Sequence, residues 1–379
     1  MFPPAVDYGG PSTVAAQQAS ALVRRGHQVT VATSNILELK PVQFIEDRNV
    51  ELTGVEVQYF PSLVLHPHFS FIVSPKFSGW LRRHVGDFDV VHIHFARGWM
   101  PVRAAQIAIG RGILTFLQPH GMLGRQPEGL LGRIDGLRGL IDRVWIRRIL
   151  DDSAGVFSLQ QHEDNEIERV TSHARLLRLP NGTSLPTRVE AWAAVNLANP
   201  VVLFLARLHP RKRVLAFLEM ARILRSRGVA AHYRIVGPDG GDLARAQRLV
   251  RTYGMQDEVI FVGKIQGEAI IREYLGSSVY VLPAVNEPFA MTILEALSLG
   301  VPTVVTSACY NAAMLEENGA ALVSSPEPQM LANSVERVLC EPALAQSLST
   351  AGRRLLIQEE LTVDGVAKRL EKYYGDAYA

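Results

Sequence analysis

Two carboxylates, Glu287 and Glu295, stand eight residues apart in the stretch LPAVNEPFAMTILEALSLG at 282–300. The first follows an apolar run at 279–282 across a Pro-containing turn; the second falls about one turn into an apolar, helix-periodic segment. One acid therefore stands beside a helix N-terminus and the other on the helix. A helix N-terminus presents N–H groups and the positive end of the dipole, which suits a phosphate. A carboxylate just beyond can accept two hydrogen bonds from a ribose diol. The pattern suits a nucleotide diphosphate with a group attached; an ordinary strand–loop–helix unit with solvated acids has the same spacing.

Other loops at strand ends carry compatible chemistry. The segment ARLHPRKR at 206–213 follows the apolar run 201–205 and is densely cationic. Arg207 offers a planar fork for phosphate oxygens and Lys212 a point charge, and together they suit the charge developing on a departing diphosphate. A solvated basic loop is the plain alternative. His120, in QPHG at 118–121, follows the run 113–117 and is placed to donate to a sugar hydroxyl or to move a proton. His92 and His94 point to one face of a strand; with no third ligand in view, packing or a polar contact is expected rather than a metal. The loop VGPDGG at 236–241, with Gly237 first, lets a nucleotide base approach the backbone or serves as a plain turn. Gly9, Gly10 and Pro11 lead into a helix. No GxGxxG follows a strand and no GxxxxGK[ST] is present, so neither a nicotinamide cofactor nor a P-loop nucleotide is supported.

The elements that must hold these loops alternate. Strands are expected at 29–33, 55–59, 90–94, 113–117, 155–158 and 176–179, then at 201–205, 233–236, 259–262, 279–282, 303–305 and 321–323. Amphipathic helices are expected between them, among them 11–25, 214–227, 242–253 and 328–339. Such alternation predicts an α/β fold with doubly wound parallel sheets. Turn chemistry at 180–200 marks a linker. The chain opens on a Pro- and Gly-rich loop with no strand before it, so the first domain is expected to lack its central first strand.

With 379 residues, 47% of them apolar, the chain can build two cores. A net charge of +2 gives no reason to expect nucleic acid as a partner. Cys309 and Cys340 form neither a metal spacing nor a disulfide framework, which fits a reducing, cytoplasmic compartment. No signal peptide or membrane-spanning run is visible. Residues 125–148 carry six arginines against three acids, interleaved with Leu, Ile and Trp145. That composition fits either a solvated helix face or a peripheral contact with the inner face of an anionic membrane.

In order along the chain stand the Gly-Gly loop at 9–10, PHG at 119–121, PNG at 180–182, ARLHPRK at 206–212, VGPDGG at 236–241 and EPFAMTILEA at 287–296. This set resembles the family 4 retaining glycosyltransferases, whose GT-B fold consists of two facing Rossmann-like domains with an interdomain cleft. The resemblance implies an acceptor-side domain at 1–183, a nucleotide-sugar domain at 184–361, and a terminal helix at 362–379 that packs back on the first domain. It implies that Arg207 and Lys212 hold the donor diphosphate, Glu287 contacts the donor sugar and Glu295 binds the ribose. The backbone around Phe289, Ala290, Met291 and Thr292 would meet sugar and phosphates, with Gly237 on the donor side. His120 would stand near the donor sugar, and Gly10 would line the cleft. No metal or other cofactor is implied. The chain departs from the family pattern at Ala290 and Arg213, where glycine is usual.

The reaction so implied moves a hexose from a nucleotide-diphosphate sugar to the hydroxyl of a saccharide or lipid-linked acceptor, with retention, in cell-surface polysaccharide or glycolipid synthesis. Because Glu295 is committed to ribose, a two-carboxylate covalent route is not supported. Two alternatives are a nucleotide-sugar epimerase of the same fold and a non-catalytic nucleotide-sugar-binding protein.

Overall fold

The computed structural model describes residues 2, 10–36, 54–66, 71–95, 97–124, 145–186, 192 and 197–378. The chain divides into two compact units, Met1–Asn181 with Val363–Ala379, and Gly182–Thr362. Gly9 and most of the basic segment 125–148 lie outside the described residues.

The first unit is built on four parallel strands in the order β5 (Val90–His94), β6 (Leu114–Gln118), β7 (Gly155–Ser158) and β8 (Leu176–Arg178). Both faces are covered, as a parallel sheet requires. Alternation along the strands sends Phe116 and Phe157 to one side and Leu117 and Val156 to the other. The Leu117 side packs on Val102, Ala105 and Ala108 of the helix Trp99–Gly110. The Phe116 side packs on the helix Val363–Tyr378. In that helix Val363, Val366, Ala367, Leu370 and Tyr374 recur at three- and four-residue spacing, so one stripe faces the sheet and the helix Gly10–Arg24. An ion pair of Glu371 with Arg25 at 2.5 Å ties its outer edge.

The other described strands of this unit do not join the four-stranded sheet. β1 (Thr30–Ser34) pairs in parallel with β2 (Glu56–Phe60), and β3 (Leu63–His66) pairs antiparallel with β4 (Phe71–Val73). The alternation of strand and helix predicts doubly wound parallel packing for this half, and β5–β8 follow it. Among the described residues β1–β2 and β3–β4 form hydrogen-bonded sets of their own.

The second unit has one six-stranded parallel sheet, in the order β11 (Val259–Gly263), β10 (His232–Val236), β9 (Val201–Leu205), β12 (Val279–Leu282), β13 (Thr303–Thr306) and β14 (Leu322–Ser324). The runs VVLFL and VYVL of β9 and β12 are almost wholly buried, which explains their continuous apolar character. From β9 the chain winds outward through β10 and β11, then returns to the other side through β12. The connections after β9 and β12 therefore diverge, leaving a crevice at the C-terminal ends of these two neighbours. At the unit boundary Thr183 N–H donates to the Leu361 carbonyl at 3.0 Å, so the chain enters and leaves this unit side by side.

No helix among the described residues is long and apolar enough to cross a membrane.

Candidate active site

In the second unit the cationic loop leaves β9 at the crevice. Pro210–Lys212 forms a single 3₁₀ turn, capped by His209, whose Nδ1 accepts from the Arg211 N–H at 3.2 Å. Arg213 then adopts φ +57° and ψ +47°, the left-handed conformation that favours glycine. This explains why an arginine is unusual there. Its side chain offsets the strain by donating to the Pro326 carbonyl at 2.6 Å. Ala290, by contrast, has φ −72° and ψ 116°, which any L-residue adopts, so its methyl group brings no backbone strain.

The turn brings Lys212 onto Glu287, which follows β12. Lys212 Nζ donates to Glu287 Oε2 at 2.7 Å, and Arg211 Nε lies 3.8 Å from the same oxygen. Glu287 is only 5% exposed. The pair uses one of the three ammonium protons, leaving two for a ligand. Burial, with the negative charge of Glu287 adding to it, pushes the thiol of neighbouring Cys309 up to about 11.

Phe289, Ala290 and Met291 are buried where the helix Met291–Ser298 begins. Thr292 Oγ1 accepts from the Tyr280 hydroxyl at 2.7 Å. Glu295 sits on that helix, and its Oε2 at 3.1 Å shares the single proton of the Tyr274 hydroxyl with the Thr292 carbonyl at 3.0 Å. Burial raises the Glu295 carboxyl above its ordinary value, against the pull of that hydrogen bond.

The glycine-rich loop after β10 comes very close to the cationic loop. A Cβ on Gly237, which has φ +141°, would fall 2.0 Å from the Ala206 carbonyl oxygen. A Cβ on Gly240 would fall 2.8 Å from Arg207 Cγ, so Arg207 lies across this loop. A groove of about 250 Å³ opens alongside, lined by Leu208, Gly237, Asp239, Phe261 and Lys264 among others. The second unit thus gathers Arg207, Lys212, Gly237, Glu287, Phe289–Thr292 and Glu295 around the C-terminal edge of β9, β10 and β12.

In the first unit Gly10 is the first residue of the helix Gly10–Arg24 rather than part of a preceding loop. His120 follows β6 with φ +57°, a conformation that costs a non-glycine residue energy and is found where a side chain must be aimed. The next residue is held by Glu163, whose Oε1 accepts from the Gly121 N–H at 2.5 Å while Oε2 accepts from the Leu159 N–H at 2.7 Å. Burial pushes the Glu163 carboxyl up to about 7, against both N–H donors. Burial also holds His120 well below the ordinary imidazole value, with His94 adding to the effect. Among the described residues no group of three or more His, Cys, Asp or Glu side chains is arranged to hold a metal.

Motif reading did not single out Tyr274 or Glu163. Tyr274 reads as a core aromatic. Glu163 carried one usable signal, an acid in the first turn of the helix Gln161–Glu168.

Comparison with known proteins places these features in a lineage. Residues 190–355 match the family described as glycosyl transferases group 1, and residues 9–182 match the glycosyl transferase 4-like domain. The D-inositol 3-phosphate glycosyltransferase of Actinosynnema mirum is 24% identical over 98% of this chain and 93% of its own. That of Streptomyces griseus is 28% identical over 72% of this chain and 64% of its own. Among solved structures, sucrose-phosphate synthase from Thermosynechococcus elongatus superposes with a TM-score of 0.73 at 20% identity, covering 98% of this chain and 94% of that one. The Anabaena protein HepE, solved in complex with UDP and glucose, has a TM-score of 0.73 at 14% identity, covering 96% and 95%.

Proposed function

The chain belongs to the family 4 GT-B glycosyltransferases, and from that premise we propose that it moves a hexose from a nucleotide-diphosphate sugar to a hydroxyl acceptor with retention of configuration. The observation that carries this reading is the ion pair of Lys212 with buried Glu287 at the β9–β12 crevice, with Arg207 on the same loop as Lys212. Arg207, the two remaining Lys212 protons and the N-terminal end of the helix Met291–Ser298 are read as the diphosphate cradle. Glu295, aimed by Tyr274, is read as the ribose acceptor. The groove beside Gly237 is read as the base site. Glu287 and His120 are read as contacts to the donor sugar.

In this reaction the bond between the anomeric carbon and the phosphate oxygen breaks, and its electron pair leaves on the diphosphate. Arg207 and Lys212 stabilise the charge that develops there, in a site whose dipoles are already oriented. The acceptor oxygen bonds to the anomeric carbon from the same face, and its proton passes to the departing phosphate oxygen. A saccharide or lipid-linked acceptor of the cell surface is the proposed recipient.

The test is a thermal-shift screen with UDP, GDP, ADP and their hexose conjugates, followed by product analysis with the nucleotide that binds. A ligand bound to the native state raises the melting temperature according to its affinity. The reading expects a shift with one nucleotide, loss of that shift in Lys212→Met, and a product whose anomeric configuration matches the donor. Absence of any shift from a protein that melts cooperatively refutes it. Conversion of the donor without an acceptor points instead to an epimerase.

A further inference from the structure

The strand β5 directs His92 and His94 to one face, and neither has a part in the chemistry described above. Their rings stack with centroids 4.5 Å apart. His94 Nδ1 lies 2.9 Å from His120 Nε2, with the two rings within 14° of parallel. On the far side of the stack His92 Nδ1 lies 2.8 Å from the Tyr374 hydroxyl, which reaches in from the terminal helix. His120 is thus the outer end of a chain that starts at Tyr374 and runs through His92 and His94.

We propose that His94 is the positioning residue of His120: it engages Nε2, fixes the plane of the ring, and leaves Nδ1 as the one nitrogen that His120 offers to a ligand. Tyr374 braces the stack through His92. The role assigned to the His120 ligand rests on the transferase reading above; the geometry of the histidine pair does not.

The chemistry of the pair follows from burial. Burial holds all three imidazoles well below their ordinary value, His94 at about 3, so each is neutral at neutral pH and carries one N–H. Only one of the two facing nitrogens can then hold a proton. When His94 Nδ1 donates, His120 must carry its own proton on Nδ1 and present a donor. When His94 Nδ1 accepts, His120 presents a bare acceptor. Whichever holds, the tautomer of His120 is set by His94. The left-handed backbone of His120 and the grip of Glu163 on Gly121 fix the turn, and His94 fixes the remaining freedom, rotation of the ring.

The test compares His94→Asn, His94→Gln and His94→Leu. The Asn amide falls near the position of Nδ1, the Gln amide near that of Nε2, and Leu has neither. Two readouts are taken from the full-length chain. The first is the tautomer of His120, from long-range ¹H–¹⁵N spectra of imidazole-labelled protein, assigned by the signal lost in His120→Ala. The second is kcat and KM with the donor found in the nucleotide screen. A single tautomer is expected in the wild type and a mixture in His94→Gln and His94→Leu; the Asn amide, which can donate or accept, should keep the His120 ring engaged whichever tautomer it holds. Loss of one neutral hydrogen bond corresponds to a fall in kcat of about tenfold for Gln and Leu. Asn should stay within about threefold of the wild type, with donor KM little changed throughout.

Equal effects of Asn and Gln, or an unchanged tautomer in both, overturn the proposal even if His94→Leu fails to fold. A wild type with one tautomer but no transfer to any acceptor refutes the transferase reading and leaves the positioning claim to be decided by the spectra.

Discussion

Lys212→Met should destabilise the unit Gly182–Thr362 before any ligand is added. Glu287 is 5% exposed, and its nearest cation is the Lys212 ammonium at 2.7 Å. Breaking a buried pair by removing one partner typically costs about 3–5 kcal/mol, because the other charge is left without compensation. Arg211, at 3.8 Å from the same oxygen and with its side chain 46% exposed, can move inward and recover part of this. The lower end, about 3 kcal/mol, is therefore expected, equivalent to about 6–12 °C for a domain of this size. Glu287→Gln, which leaves a partly exposed ammonium able to reach water, should cost less. The double variant should be more stable than Lys212→Met alone, because the stranded carboxylate is gone. Trp192 is the only one of the four tryptophans in this unit and is buried, with its Nε1 donating to the Ser277 carbonyl at 3.0 Å. In a background with Trp80, Trp99 and Trp145 changed to Phe, urea unfolding followed by its fluorescence reports this unit alone. A Lys212→Met midpoint indistinguishable from that of the background, or a double variant less stable than either single one, refutes the reasoning. Donor binding separates the two roles of the lysine: the double variant should recover stability and still fail to bind nucleotide.

Gly237→Ala should destabilise the same unit by at least about 2 kcal/mol, since the new methyl would meet the Ala206 carbonyl oxygen at 2.0 Å and φ is +141°. A urea midpoint within error of the wild type would show that the two loops are not in contact. Tyr274→Phe removes the hydroxyl that donates to Glu295 and should weaken binding of the nucleoside diphosphate found in the screen about fivefold. It should leave the 2′,3′-dideoxy analogue unaffected, and equal losses for the two ligands in calorimetry would contradict the coupling. For Glu163 the folded carboxyl titrates at about 7 against 4.5 for the free group, so the folded state keeps a proton that the unfolded chain has lost. Stability should therefore fall as pH rises between these values, by up to about 3 kcal/mol. Urea midpoints from about pH 5 to about pH 8 should show this slope in the wild type and not in Glu163→Gln, and identical slopes would place the titration elsewhere.

The loops that carry charge were legible in the sequence because strand ends are. The run VYVL and the two prolines after it place Glu287 in a loop and Glu295 on a helix. The run VVLFL does the same for Arg207 and Lys212. The six-stranded sheet follows the expected alternation closely because β9, β12 and β13 are buried on both faces, and β9 and β12 read as continuous apolar runs. The antiparallel pair β3 and β4 was not legible. Its strands are four and three residues long, and residues 67–70, PHFS, carry no Asn-Gly or Gly-containing hairpin signal. The family resemblance, rather than helix periodicity, implied a terminal helix packed on the first unit. Neither could say that Tyr374, one more residue of the stripe, would reach His92 with its hydroxyl.

A ligand-touching residue and the residue that aims it leave different traces. Arg207, Lys212, Glu287 and Glu295 are polar residues in or beside loops, and their type alone suggests a charged ligand. Their aiming partners lie far away in sequence and look like core. Glu295 is aimed by Tyr274, which is fully buried. His120 is held by His94, on a different strand. The turn that carries His120 is held by Glu163, which is 1% exposed. Lys212 and Glu287 are each other's aiming partner across 75 residues. A buried polar side chain needs partners to be tolerated at all, and those partners then fix its direction. Burial is therefore what turns a tyrosine or histidine from filler into a positioning group, and burial is a property of the fold rather than of any short motif. It also means that alanine substitutions at the motif residues alter stability and binding together. The informative variants keep most of the shape and change a single polar group: Tyr274→Phe, which loses a hydroxyl, and Glu163→Gln, which loses the titrating acid.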